Sequence, residues 1–432
     1  MIEQASAQQA VCVGVSPAGY DPEAARRDLE ELGGLLQAAG GQVLEAVDIR
    51  LRRPISATLL GKGQIERLAE VVQRTEAALV VINAELSGTQ TRNLERMLEA
   101  RVIDRSGLIL DIFALRASTL EGKLQVELAQ HAYRLPRLVG RGAQLSRLGG
   151  GIGTRGPGET VLETDRRLIR RRMALIKRRL EHVRRTRETQ RQGRRRRDVP
   201  VVAVVGYTNA GKSTLINRWC ASDLACADML FATLDPALRQ AMLPGKTPVM
   251  LSDTVGFIRD LPHQLIEAFQ ATLEQVREAD LLLHVIDAAD PARADQALAV
   301  ERVLEQLEAA QKPRMTVFNK LDRLDDRARV ELLREIRGME YRIGVSSVSG
   351  ENWERLELEL ARALGNPILR ALLDIDQSSG GLIEQLQVRA EVEQVEQLAE
   401  GMRATVLIGY TQLEKLRSEY TEGLCVVSTQ AL

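Results

Sequence analysis

Eight consecutive residues, Gly206-Tyr207-Thr208-Asn209-Ala210-Gly211-Lys212-Ser213, follow the pattern GxxxxGKS, and Thr214 continues the run. The two glycines let backbone N–H groups curl around an anion. Lys212 is then placed to reach β- and γ-phosphates, and the Ser213 hydroxyl to ligate Mg²⁺. The apolar stretch PVVAVVG precedes the motif and a helix-like stretch follows it. That context is the one the motif needs, because the helix N-terminus adds a favourable dipole for phosphate.

Three further groups complete a nucleotide site. Phe231-Ala232-Thr233-Leu234 lies between the phosphate loop and the next strand, and Thr233 is the candidate second hydroxyl for Mg²⁺. Asp253-Thr254-Val255-Gly256 ends the strand-like PVMLS. Asp253 would hold Mg²⁺ through water and the Gly256 N–H would meet the γ-phosphate, so both loops would order when that phosphate is present. Lys212, Thr233 and Gly256 are the expected catalytic residues.

Asn319-Lys320-Leu321-Asp322 ends RMTVF. A carboxylate at Asp322 accepts both the N1–H and the 2-amino protons of guanine, neither of which adenine presents there. Sites built on such a pairing reject analogues lacking it by roughly 10⁴, so the base is guanine and the ligand GTP. Lys320 should lie along the base plane, Asn319 should brace the loop, and Ser346-Ser347, with Val348 after them, would turn a backbone N–H toward guanine O6. The position after Gly256 is Phe257, where many switch GTPases carry a water-orienting glutamine. Intrinsic hydrolysis should be slow, with a cation or partner supplying the missing group.

These motifs require a strand–helix scaffold, and the patterning provides it. Stretches 200–206, 248–254, 280–288, 314–320 and 341–347 read as strands separated by helices such as 263–279 and 351–364, a doubly wound parallel sheet spanning 198–366. Residues 1–117 also alternate. Strands at 11–15, 42–47 and 78–83 and helices at 22–39, 63–75 and 89–100 make a small α/β domain. Lys62, between Gly61 and Gly63, reads as a turn lysine. Residues 367–432 form a short α/β tail with a strand at 404–409 and a helix at 410–420.

Between the two α/β regions, 118–197 differs. Leu124, Leu128, His131, Leu135 and Leu138 recur at spacings of 4, 3, 4 and 3, and Ile169, Met173, Ile176, Leu180 and Val183 form a similar series. Two such stripes joined by GGGIGTRGPGE predict an antiparallel helical hairpin with a glycine tip. Pro136 should kink or end its first helix. The GxGxxG within that tip is not a dinucleotide motif, since no strand precedes it.

Composition bounds the rest. The chain has 432 residues, 44% of them apolar and 27% charged, enough to bury several cores. The four cysteines, Cys12, Cys220, Cys226 and Cys425, show no paired spacing and suit a reducing compartment. No apolar run approaches a membrane span or a signal peptide, so a cytoplasmic protein is expected. Basic and acidic residues balance at 59 each, yet Arg166–Arg197 holds sixteen Arg or Lys against Glu181 and Glu188. A cationic segment on an otherwise acidic chain points to a polyanion, here nucleic acid.

With the four nucleotide motifs stand EGKLQVELAQ (121–130) and GGGIGTRGPGETVLETDRR (149–167). Together they resemble the HflX family of translational GTPases over nearly the whole chain. The resemblance implies an N-terminal α/β domain, a helical hairpin, a GTPase domain and a smaller C-terminal domain. It implies a monomer when free, binding to the large ribosomal subunit and its rRNA near the peptidyl-transferase centre, and GTP-dependent splitting of stalled or idle ribosomes under stress. It also implies ATP hydrolysis and RNA remodelling by the N-terminal domain, although 1–117 holds no Walker loop. Asn209 resembles the asparagine through which some glutamine-lacking GTPases bind K⁺. The competing expectation is a GTP-gated RNA- or ribosome-binding scaffold that splits nothing. A membrane-associated GTPase is disfavoured by the absence of any anchor.

Overall fold

Continuous burial marks the first strand, β1 (Gln9–Pro17), in which Ala10 to Val13 are all fully buried. Such a strand needs cover on both faces, and parallel sheets flanked by helices supply it. The computed structural model describes residues 8–138, 157–195, 199–220, 230–231, 238–259, 270–376, 380–399, 401–420 and 423–432. It separates into two compact units, the first holding the described residues up to Thr189 with Leu230, Phe231, Gln270 and Ala271.

In the first unit α1 (Pro22–Ala38), β2 (Gln42–Leu51), α2 (Lys62–Thr75), β3 (Leu79–Ile82), α3 (Gly88–Leu98), β4 (Arg101–Asp104) and α4 (Arg105–Arg116) follow β1. The four strands are parallel in the order β2-β1-β3-β4. Local signals start the helices. Asp21 caps α1 through the Glu23 and Ala24 N–H groups, with Pro22 next, and Ser87 and Gln90 form a capping box on α3. β4 and α4 escape pattern reading because their apolar stretches, Val102-Ile103 and Leu108 to Phe113, are short and show neither a clear strand nor a clear helix period. The break between the two is made by Asp104, whose buried carboxylate accepts from Gly107 N at 2.8 Å and caps α4. It also accepts from Leu86 N at 3.0 Å, Tyr133 Oη at 2.7 Å and Arg137 Nη2 at 2.6 Å.

Tyr133 and Arg137 belong to α5 (Leu120–Arg137), which ends one residue after Pro136, as a missing N–H and a ring clash require. α6 (Pro157–Arg195) has 39 residues, about 58 Å of helix. Along its described side chains Ile169, Met173, Ile176, Leu180 and Val183 are buried or half-buried, with Ile176 at 0% exposure, while Arg170, Arg171, Lys177, Arg178, Arg179 and Arg185 are exposed. Arg172 Nε donates to Glu127 Oε1 at 2.6 Å and ties α6 to α5. The glycine tip at 149–156 lies outside the described residues.

The second unit begins with β5 (Val201–Gly206), α7 (Lys212–Cys220), β6 (Leu238–Leu243), β7 (Thr247–Asp253), α8 (Gln270–Glu278), β8 (Leu281–Asp287), α9 (Arg293–Gln306), β9 (Arg314–Asn319), α10 (Asp326–Ile336), β10 (Arg342–Gly344) and α11 (Trp353–Ala363). Their sheet runs β10-β9-β8-β5-β7-β6. Five strands are parallel, so the doubly wound α/β class stands. The wholly parallel sheet is corrected: β6 pairs antiparallel to β7 across a short turn at Gly245-Lys246. Expected helix residues 263–269 lie outside the described set.

The C-terminal elements are β11 (Ile368–Asp376), α12 (Gly380–Arg389), β12 (Glu391–Leu398), β13 (Gly401–Gly409), α13 (Tyr410–Glu419) and β14 (Leu424–Ala431). They pair antiparallel in the order β12-β13-β11-β14, a split βαβ plait. Its core, from Leu373 and Ile375 to Leu413 and Leu416, lies between the sheet and the two helices. Among the described residues no helix is long and apolar enough to cross a membrane.

Candidate functional site: a guanine nucleotide pocket

The site gathers at the carboxyl ends of β5, β7, β8, β9 and β10, where an open α/β sheet presents its ligand crevice. β5 ends at Gly206, whose φ of +155° is open only to glycine. A Cβ here would run into the Val285 carbonyl. At Gly211, φ +92°, a Cβ would meet Asn319 Nδ2. The two glycines therefore allow the loop to pass close to β8 and β9. Asn209, at φ +63°, turns the loop in the left-handed region. Ala210 is buried and Thr214 is half-buried.

Lys212 opens α7 and is only 6% exposed. Its Nζ donates to the carbonyls of Gly206 at 3.1 Å and Tyr207 at 2.8 Å. Burial pulls its pKa down to about 8, Asp253 opposing and Lys320 assisting that shift. A desolvated ammonium beside a loop of N–H groups is primed for an anion. Ser213 Oγ donates to Asp253 Oδ2 at 3.1 Å. A hydroxyl beside a carboxylate is an all-oxygen pair of the kind Mg²⁺ takes from protein while phosphates and water fill its other positions, so the residues fit that ion.

The segment after β7 is fastened to the phosphate loop. Thr208 N donates to Phe257 O at 2.8 Å and Phe257 N to Gly206 O at 3.1 Å. Thr254 Oγ1 donates to Val204 O at 2.7 Å, and Val255 is buried. Gly256 has room for no side chain: a Cβ would meet Thr208 and come within 3.2 Å of Lys212 Nζ. Phe257 is 2% exposed, so its ring is a core group and orients no water. Ala232, Thr233 and Leu234 lie outside the described residues. Phe231 groups with the first unit, where its buried ring stands edge-on to Phe113 at 4.8 Å.

Asn319, fully buried at the end of β9, links three loops. Its Nδ2 donates to Ala210 O at 3.1 Å, and its Oδ1 accepts from Ser347 N at 3.0 Å. Asp322 is exposed and accepts from Ser346 Oγ at 2.5 Å, which fixes the carboxylate. Leu321 is buried and its N–H donates to Val345 O at 3.1 Å. Val348 is 70% exposed.

Pattern reading passed over Asp287. Lys320 Nζ donates to Asp287 Oδ2 and to Asn209 O, both at 2.7 Å. One lysine thus braces the phosphate loop against the end of β8. No signal within the sequence marks it, because only the register of two adjacent parallel strands brings Asp287 opposite Asn319.

Comparison with known proteins places this geometry. Residues 201–320 match the family model described as "50S ribosome-binding GTPase", 26–114 match "GTP-binding GTPase N-terminal", and 116–194 match "GTP-binding GTPase Middle Region". GTPase HflX of Caldanaerobacter subterraneus subsp. tengcongensis is 52% identical over 318 residues, covering 74% of this chain and 73% of the relative. GTPase HflX of Magnetococcus marinus is 46% identical over 389 residues, 89% of this chain and 88% of the relative. That of Escherichia coli K12 is 45% identical over 356 residues, 82% and 83%. A phosphate loop, a guanine-reading motif and this shared length agree: the chain belongs to the HflX family of GTPases.

Proposed function

We propose that the protein docks on the large ribosomal subunit in its GTP state, grips rRNA phosphates through α6, and splits stalled or idle ribosomes in the cytoplasm, with hydrolysis of GTP to GDP and phosphate permitting release. The observation that carries the reading is the exposed row Arg170, Arg171, Lys177, Arg178, Arg179 and Arg185 on a helix whose apolar stripe packs inward. RNA duplexes are gripped this way, by backbone charge and shape. The chain divides into 1–117, 118–197, 198–366 and 367–432 and is monomeric when free.

At the nucleotide, the residues of 206–214, 253–256, 319–322 and 346–348 form the pocket. Lys212 holds the β- and γ-phosphates, and Gly256 N–H reports the γ-phosphate. Ser213, Thr233 and Asp253 would hold Mg²⁺, which supplies charge neutralisation of the phosphates when bound. Asn209 is placed in the loop where K⁺ would assist a site whose Phe257 offers no polar group.

Two measurements test this. On a sucrose gradient, GTP and a non-hydrolysable analogue are both expected to move intact ribosomes to separate subunits, with the analogue trapping the protein on the large subunit. The buried Phe257 also supports the scaffold reading, with slow turnover and no splitting; a subunit profile that neither nucleotide changes establishes that reading instead. Second, Gln at Arg194, Arg195, Arg196 and Arg197 is expected to flatten the dependence of log affinity on log salt by about 3, at about 0.7–0.9 per phosphate contact. An unaltered slope moves the RNA contact off this segment.

A further inference from the structure

Helix α7 begins at the phosphate loop and ends in Arg218-Trp219-Cys220. Trp219 and Trp353 are the two tryptophans of the chain. Their rings lie 4.8 Å apart at 53°, and both indole N–H groups donate to Glu357 Oε1, at 3.0 and 3.1 Å. The Arg218 guanidinium stands over the Trp353 ring, 5.1 Å from its centroid, within cation–π reach. Its Nη1 donates to the carbonyls of Ser347 at 3.4 Å and Val348 at 3.2 Å. Gly350, at φ +86°, makes the room: a Cβ there would fall on the guanidinium.

Those two carbonyls belong to the loop beside Asp322. In a trans peptide the C=O and N–H point opposite ways, so holding the Ser347 carbonyl turns the Val348 N–H away from Arg218. The neighbouring amides are already directed, Ser347 N to Asn319 Oδ1 at 3.0 Å and Ser349 N to Ser346 Oγ at 3.0 Å. The loop is thus held on one side by the base-reading residues and on the other by Arg218.

We propose that Arg218 is a positioning residue for the base, gripping the Ser347 and Val348 carbonyls so that the Val348 N–H faces the 6-oxo group of guanine. This rests on the guanine reading of Asp322. It connects the far end of the phosphate-loop helix to base affinity, and the Trp219–Trp353–Glu357 cluster is the seat that keeps the guanidinium in place.

The test uses the full chain and two ligands, GDP and 6-thioguanosine diphosphate, which keeps N1–H and the 2-amino group and changes only the atom the loop faces. Wild type is expected to prefer GDP. Arg218→Met, which preserves apolar cover on Trp353, is expected to weaken GDP about tenfold and the thio analogue less than threefold, the scale of a lost hydrogen bond from a charged donor. Arg218→Lys restores a cation and is expected to recover most of the GDP affinity with the thio analogue unchanged; it also serves if the Met variant folds poorly. The near-ultraviolet dichroism of the paired tryptophans reports whether their packing persists. Equal losses on both ligands, or none on GDP, overturn the role of Arg218. A wild type indifferent to the two ligands removes the contact to the 6-oxo group and this proposal with it, whereas the Asp322 reading fails separately, in the competition with xanthosine diphosphate.

Discussion

Lys212→Ala is expected to lower kcat for GTP hydrolysis by about a thousandfold or more, the upper range for removing one preorganised group that faces developing charge. The reason lies in the desolvated position of Lys212. Its ammonium is held by the Gly206 and Tyr207 carbonyls inside a loop of N–H groups, so its field at a bound phosphate is screened little by water. In the proposed role, arrival of the γ-phosphate would exchange those carbonyls for phosphate oxygens, and charge gained in the transition state would meet a cation already in place. Ser213→Ala is a milder change in shape and removes the hydroxyl paired to Asp253 at 3.1 Å. It is expected to lose turnover while leaving the fold intact. Single-turnover hydrolysis at saturating GTP is the measurement. Turnover within tenfold of wild type in either variant places hydrolysis outside this loop, with the first unit the next place to look.

Asp322→Asn is expected to shift the preference between guanine and xanthine nucleotides by about 10⁴, equivalent to about 5.5 kcal/mol. In the proposed site the carboxylate would accept from N1–H and the 2-amino group of guanine. An amide presents an N–H there, which opposes the guanine donors and pairs with the 2-oxo group of xanthine. The variant should fold, because the Asn carbonyl can still accept from Ser346 Oγ, as Asp322 does at 2.5 Å. Competition between GDP and xanthosine diphosphate measures the ratio. An unchanged ratio removes Asp322 from base reading.

The two variants separate phosphate chemistry from base choice. Both sites are joined by Asn319 and Lys320, which reach from one strand end to the phosphate loop at Ala210 and Asn209. Binding of either end of the nucleotide therefore bears on the same short bridge. Asn319 is fully buried, and replacing it would leave Ala210 O and Ser347 N without their partner, each at a cost of about 1–3 kcal/mol.

Much of the fold and the site could be read from local pattern. Glycine is required where the phosphate loop bends, because only Gly tolerates φ +155° at 206 with a carbonyl so close; such a constraint is written into the residue type. The stripe from Ile169 to Val183 announced which face of α6 turns inward, since helix geometry alone sets that face. What pattern could not supply was partnership between distant segments. β6 reads as an ordinary short stretch, and only pairing with β7 makes it an antiparallel edge. The C-terminal strands acquire their order from pairing, not from sequence proximity. Asp104 is one aspartate among many until burial collects four donors on it.

The sequence by itself determined where the positive charge is concentrated and which residues are proposed for the chemistry, Lys212 for phosphate and Asp322 for guanine, because these depend on residue type and spacing within one strand–loop–helix step. Tertiary structure alone decided the bracing. Asp287 meets Lys320 from a neighbouring strand, and Arg218 meets a loop some 130 positions away. Contacts at that separation form only when burial of the sheet core carries both elements to the same place, and no local periodicity encodes them.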